Sequence, residues 1–263
     1  MIVYTDETWV NAGHTSGYQW HTPNSEYDRR LPTNKGERLI VLHAGCAEKG
    51  FLPSCALVFK AKSKDGRDYH TEMNGQVFLE WVEQQLIPNL PQRSCLVMDN
   101  AMYHNIQTEG SKCPNSNSKK QEMQDYLTRH NISFDAKLTK PKLYEIIKLN
   151  KKDPMYKADD LISKAGHCTL RLPPYHCNLN PIELVWGDIK QHIGIENSTF
   201  KLTDVQNMVH AEFDRITPEK WAKCVQHVIE KEEKRYWEKD AMQPDIEPVI
   251  ISLDSSDDDS DDE

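Results

Sequence analysis

No stretch of the 263-residue chain approaches the ~18 consecutive apolar residues of a membrane span. The N-terminus has no basic segment followed by an apolar one, so we expect no secretory signal. The seven cysteines are an odd number, and no two stand at C-x-x-C spacing. Reduced thiols, in cytosol or nucleus, are the simplest expectation. A Gly-rich phosphate loop and a G-x-S-x-G turn are both missing, so P-loop and serine-hydrolase chemistry have no motif here. A strong charge bias is missing too. The formal charge is −9, but residues 254–263 alone hold seven acids and no base, leaving the rest at −2. A near-neutral body neither requires nor excludes a nucleic-acid partner.

The pattern that remains reads as α/β. Ile2 to Thr5, Tyr18 to Trp20 and Leu39 to His43 are short β-prone runs. Their short links predict an antiparallel meander. Ala56 to Phe59 is a candidate edge strand. Val77, Phe78, Trp81, Val82 and Leu86 predict an amphipathic helix ending before Pro88. Cys95 to Met98 is continuously apolar, as in a strand buried on both faces. Residues 105–168 read as an inserted helical region, with three helices near Met123 to Leu127, from Thr139, and from Met155 to Lys164. Thr169 to Leu172 predicts a further strand. Two more helices follow, one behind a Thr203/Gln206 capping box and one opened by Thr217-Pro218. Order is expected to end near Asp240, so we divide the chain into a body, 1–240, and a disordered acidic tail, 241–263.

One stretch organises the rest: Leu172-Pro-Pro-Tyr-His-Cys-Asn-Leu-Asn-Pro-Ile-Glu183-Leu-Val-Trp186. Asn180 reads as an N-cap and Pro181 as the first helical residue. Ile182, Val185, Trp186, Ile189 and Ile193 form one apolar stripe. Glu183, beside it, reads either as a capping-box partner of Asn180 or as a carboxylate presented at the positive end of the helix dipole. Two further acids stand in comparable places. Asp6 follows the first strand, and Asp99 ends the central one, where α/β sheets place functional groups. Three converging carboxylates would suit a hard divalent cation. A pair of ions ~4 Å apart is suited to phosphodiester chemistry.

These pieces resemble the catalytic domain of mariner-superfamily DDE transposases. The matching segments are Thr5-Asp6-Glu7-Thr8, Met98-Asp99-Asn100-Ala101-Met102-Tyr103-His104 and the run from Leu172 through Asn180-Pro181-Ile182-Glu183 to Trp186. The resemblance spans roughly residues 1 to 195. It implies a ribonuclease H-like fold: a mixed five-stranded sheet with helices on both faces and a helical insertion before the last catalytic acid. It implies Asp6, Asp99 and Glu183 as the catalytic, metal-binding triad, with Mg²⁺ or Mn²⁺ bound, as two ions. Asn100 and His104 become supporting groups. Glu7 is expected to face solvent or act as a secondary ligand. In the implied reaction, water attacks a DNA phosphodiester to free a 3′-OH, which then attacks target DNA. Two departures stand out. The gap between Asp99 and Glu183 is much longer than in compact family members, and the chain starts at the first catalytic strand, without the upstream helix-turn-helix modules. It therefore reads as a chain that lost them or as a truncated product.

Other features allow narrower expectations. Lys140, Lys142, Lys148, Lys151 and Lys152, with Arg29 and Arg30 in the early loop, are candidate DNA contacts, since lysines on phosphate give sequence-independent, salt-sensitive affinity. Their bland alternative is a solvated face. The tail run Val249, Ile250, Ile251 and Leu253, followed by acids, is similar to a SUMO-interaction motif, which adds a strand to its partner's sheet. That reading implies a eukaryotic, nuclear protein; the alternative is an acidic solubilising tail. A homodimer is compatible with the sequence, which does not fix the oligomeric state. The leading function is a metal-dependent DNA endonuclease and strand transferase. The rival is a captured transposase domain that binds DNA or chromatin without cutting.

Overall fold

The computed structural model describes residues 1–16, 31–61 and 73–242. Its centre is a six-stranded mixed sheet. β1 (Ile2–Asn11) pairs antiparallel with β2 (Arg38–Cys46) and parallel with β5 (Cys95–Met98). β5 pairs parallel with β6 (Cys168–Arg171), which forms one edge. At the other edge the short β3 (Gly50–Phe51) and β4 (Leu57–Lys60) both pair with β2. The α/β class and ribonuclease H-like layering expected from the sequence are therefore present, with six strands among the described residues rather than five. The expected strand at Tyr18 to Trp20 lies outside the described residues.

β1, ten residues long, is more than twice the length its apolar start predicts. Thr5, Thr8, Trp9 and Val10 are good strand formers, and Asp6 and Glu7 are carried through in extended conformation, paired opposite His43 and Leu42. Asp6 therefore sits inside a strand rather than after it. The two faces of the sheet follow from strand alternation. Val3, Leu42, Ala44, Leu96 and Met98 pack on one side against α1 (Gly75–Trp81) and α5 (Lys157–Lys164). Tyr4, Val41 and Val97 pack on the other against α6 (Ile182–Glu196), α7 (Leu202–Arg215) and α8 (Pro218–His227). Gly45 is required on this second face, where a Cβ would come within 2.7 Å of two Trp221 ring atoms.

Several local expectations change. After α1 the helix continues through a π turn, Val82–Leu86, into α2 (Ile87–Asn89), so Pro88 does not end it. α3 (Lys120–Arg129) and α4 (Lys140–Leu149) form a hairpin with a separate small core of Met123, Tyr126, Leu127, Leu143 and Ile147. The third helix of the expected insertion, α5, belongs instead to the main core through Ala158 and Ile162. α7 begins at Leu202 without a side-chain cap, so Thr203 and Gln206 are not a capping box. α8 runs through a second π turn, Val228–Glu233, into α9 (Lys234–Met242), two residues past Asp240. Among the described residues no helix is long and apolar enough to cross a membrane.

Candidate active site

The sheet register places two of the acids level with one another. β1 and β5 run parallel, with Ile2 opposite Cys95, Val3 opposite Leu96 and Tyr4 opposite Val97. Asp6 and Asp99 each lie two residues beyond the last pair, where the strands separate. Asn180 then joins the third acid to them. Its Nδ2 donates to the Thr5 carbonyl at 3.1 Å, next to Asp6. Asn180 is thus a tie between helix and sheet, not an N-cap. Pro181 occupies the cap position without a side-chain bond, and the Asn180 N–H donates to the Cys177 carbonyl. That N–H is therefore not available to Glu183, which lies in the first turn of α6. Asn100 adds a second tie, Nδ2 to the Leu172 carbonyl at 2.7 Å, between the loop after β5 and the loop that leads to α6.

The electrostatics show that the three acids feel one another. Burial first, then the charges of Glu7, Glu183 and Asp99, push the Asp6 carboxyl well above the usual range. Partial burial also raises Glu183; Lys190 offsets this and Asp99 adds to it. Lys190 is pulled down by burial, against the opposing pull of Glu183 and Asp6. It lies seven residues after Glu183 on the same helix, and its Nζ stands 4.8 Å from the centre of the Trp9 ring. That i, i+7 spacing was a readable signal, and the sequence reading missed it.

Asp99 is oriented from behind. Burial alone would raise it, but His104 and the Ala101 N–H hold it below its ordinary value. Ala101 N donates to Asp99 Oδ1 at 2.9 Å. His104 Nδ1 stands 2.8 Å from the same oxygen, a charge contact off the line of a good hydrogen bond. On its other side, His104 Nε2 meets Glu7 Oε1 at 3.0 Å, and Tyr103 Oη donates to Glu7 Oε2 at 3.2 Å. Burial would lower the imidazole, but Glu7 and Asp99 overcome this and raise it to about 10. An imidazolium is therefore sandwiched between two carboxylates, with the Phe78 ring 4.1 Å away. Glu7 is buried, not solvent-facing, because strand alternation points it away from Asp6 and into the α1 side of the sheet. His104 is likewise buried.

Arg171, also missed from sequence, locks the neighbouring loop. It grips Asp159 with Nε at 3.1 Å and Nη2 at 2.9 Å, and its Nη1 donates to Asn105 Oδ1 at 2.6 Å. The candidate DNA contacts Lys140, Lys142, Lys148, Lys151 and Lys152 are all exposed, on or beside the α3–α4 hairpin. Arg29 and Arg30 lie outside the described residues, as do Val249, Ile250, Ile251 and Leu253.

The donor set suits a hard cation: carboxylate oxygens, with repulsion around Asp6 that a positive ion would relieve. In the present conformation, among the described residues, no three His, Cys, Asp or Glu side chains are drawn together closely enough to enclose one.

Comparison with solved structures gives the same architecture. A pre-cleavage Mos1 transpososome matches with a TM-score of 0.53 at 13% identity, over 89% of this chain and 54% of that one. The mariner Mos1 paired-end complex with Mg matches at 0.52 and 14%, over 90% and 55%. The Mos1 strand transfer complex matches at 0.52 and 13%, over 89% and 52%. The chain thus spans about half the length of the proteins it matches. No curated protein matches the sequence. The family model for DDE superfamily endonucleases matches residues 1–204, which include all three acids and most of the sheet's supporting helices. The chain belongs to the DDE superfamily of endonucleases.

Proposed function

We propose that this chain is the catalytic body of a mariner-type transposase, a divalent-metal-dependent DNA endonuclease and strand transferase. It would hydrolyse a phosphodiester to free a 3′-OH and join that end to target DNA, working in the nucleus on transposon ends. The observation that carries the reading is the placement of the acids. Asp6 and Asp99 stand level on adjacent parallel strands, and the helix that carries Glu183 is tied to the residue before Asp6. Asp6, Asp99 and Glu183 would hold Mg²⁺ or Mn²⁺, which when bound would supply Lewis acidity at the scissile phosphate. Asp99 would be kept ionised and correctly turned by His104 and the Ala101 N–H. Lys190 would offset the charge that builds up around Glu183 and Asp6.

The exposed lysines of the α3–α4 hairpin would grip the DNA backbone. The SUMO reading of Val249 to Leu253 stands as part of the same proposal. The second reading is a captured domain that binds DNA or chromatin without cutting. Incubation of the chain and its Asp99→Asn variant with supercoiled plasmid and Mn²⁺ separates the two. Nicking by the wild type alone supports the nuclease. Equal nicking by both sinks the triad assignment. No nicking by either, with DNA still bound, favours the captured domain.

A further inference from the structure

Charge is sharply segregated along the chain. Residues 113–152 carry nine Lys and Arg against four Asp and Glu, a net +5. Residues 254–263 carry −7, and everything else together carries −7. The basic stretch is also structurally set apart. It folds as the α3–α4 hairpin, and its core shares no residue with the two cores on the sheet. Some cations on the main body are ion-paired, Arg171 with Asp159, and Arg215 and Lys220 with Asp188, while its exposed Lys49, Lys201, Lys223 and Lys231 stand apart from one another in the sequence. On the hairpin, Lys140, Lys142, Lys148, Lys151 and Lys152 are exposed, and among the described residues none of the five is ion-paired. The hairpin is therefore a surface for a polyanion.

We propose that the occupant in the absence of DNA is the chain's own acidic segment, residues 254–263, which covers the hairpin lysines and competes with DNA for them. Charge complementarity selects the place. The rest of the molecule is itself net negative and repels the segment, so the hairpin is where its seven acids are attracted. About a dozen residues separate the end of α9 from Asp254, which gives the segment a tether of up to about 40 Å when extended. Each exposed pair is weak and screened by salt. Tethering makes the contact intramolecular, at an effective concentration that weak pairs can use. The docking stands on charge and tether alone. The competition arm also rests on the DNA-binding reading above.

Carbodiimide zero-length cross-linking of the full chain, mapped by peptide mass spectrometry, tests the docking at about 50 mM and about 500 mM salt. The expected result is cross-links from the 254–263 carboxylates concentrated on hairpin lysines, in monomer. They should be lost at high salt and in a Lys148→Glu, Lys151→Glu, Lys152→Glu variant that keeps its circular dichroism. Cross-links spread over lysines elsewhere in proportion to exposure, or found only in dimer, overturn the proposal. In parallel, binding to a short duplex in EDTA is compared with and without residues 254–263. Removal should tighten binding about five-fold or more at low salt, with the difference closing at high salt. Equal affinities at both salts overturn the competition. If neither form binds duplex, the DNA reading falls, and the cross-links still decide the docking.

Discussion

Asp6 is where the site's chemistry works against the fold. Its carboxyl is raised well above the ordinary range, first by burial and then by the charges of Glu7, Glu183 and Asp99. An acid with a raised folded pKa costs stability as the pH rises above its unfolded value, because ionisation is then harder in the folded chain. Asp6→Asn removes that cost. In EDTA at neutral pH the variant should be more stable than wild type by about 1 kcal/mol, the usual gain from relieving strain at a functional site. Mg²⁺ should raise the melting temperature of the wild type by mass action and leave the variant nearly unmoved. Thermal unfolding with and without Mg²⁺ checks both. A variant less stable than wild type in EDTA would show that Asp6 has a structural partner and is not a repelled carboxylate. His104 makes the opposite case, since its charge is satisfied on both sides by Glu7 and Asp99. Replacing Glu7 by Gln leaves the packing intact but removes one of those two charges. The Mn²⁺ affinity of the site, read by electron paramagnetic resonance, should fall as Asp99 is drawn more tightly to His104. Unchanged affinity would make Glu7 a purely structural residue.

Elements meet at the site through a few polar ties, and these were the least legible part of the sequence. Hydrophobic periodicity located β5, the stripe of α6 and the two helices of the hairpin, because burial of apolar side chains sets those patterns directly. Periodicity could not extend β1 beyond Thr5, since Asp6 and Glu7 look like a loop until the β2 partner residues are known. It misread Asn180 for a related reason. The residue fits a local capping rule, but a long-range acceptor, the Thr5 carbonyl, takes its side chain. The three candidate acids stand out in the sequence through local motifs, whereas Glu7, Arg171 and Lys190 meet partners remote in sequence or a full two turns away. Asp188 is another such tie. On α6, it binds Arg215 of α7 and Lys220 of α8. Burial alone would raise it, but these two cations hold it below its ordinary value. A lowered acid stabilises the fold above its unfolded pKa, and the effect is lost as pH falls through the folded one. Asp188→Asn should therefore be less stable than wild type at neutral pH, by about 1 kcal/mol for a partly exposed pair. The gap should close in acid, below the ordinary carboxylate range. A gap that persists at low pH would point to packing instead of charge.

At the scale of the whole molecule, three cores imply unequal cooperativity. The two cores on the sheet share β1, β2 and β5 as a common wall, so neither can melt without exposing the other. The hairpin core contributes nothing to that wall. It consists of five buried side chains with a few partly buried neighbours. Truncating Leu143, fully buried in it, to Ala removes a methylene-rich side chain worth about 2–5 kcal/mol in a packed core. A cluster this small has little to spare, so the loss should open the hairpin locally and leave the sheet intact. Hydrogen exchange is expected to show peptides from α3 and α4 losing protection in Leu143→Ala. Peptides from β1, β2 and α6 should stay protected, with the main thermal transition nearly unmoved. If all peptides lose protection together, the hairpin is welded to the body and folds with it. Retained sheet protection would instead describe a charged handle that can open and move without disturbing Asp6, Asp99 and Glu183.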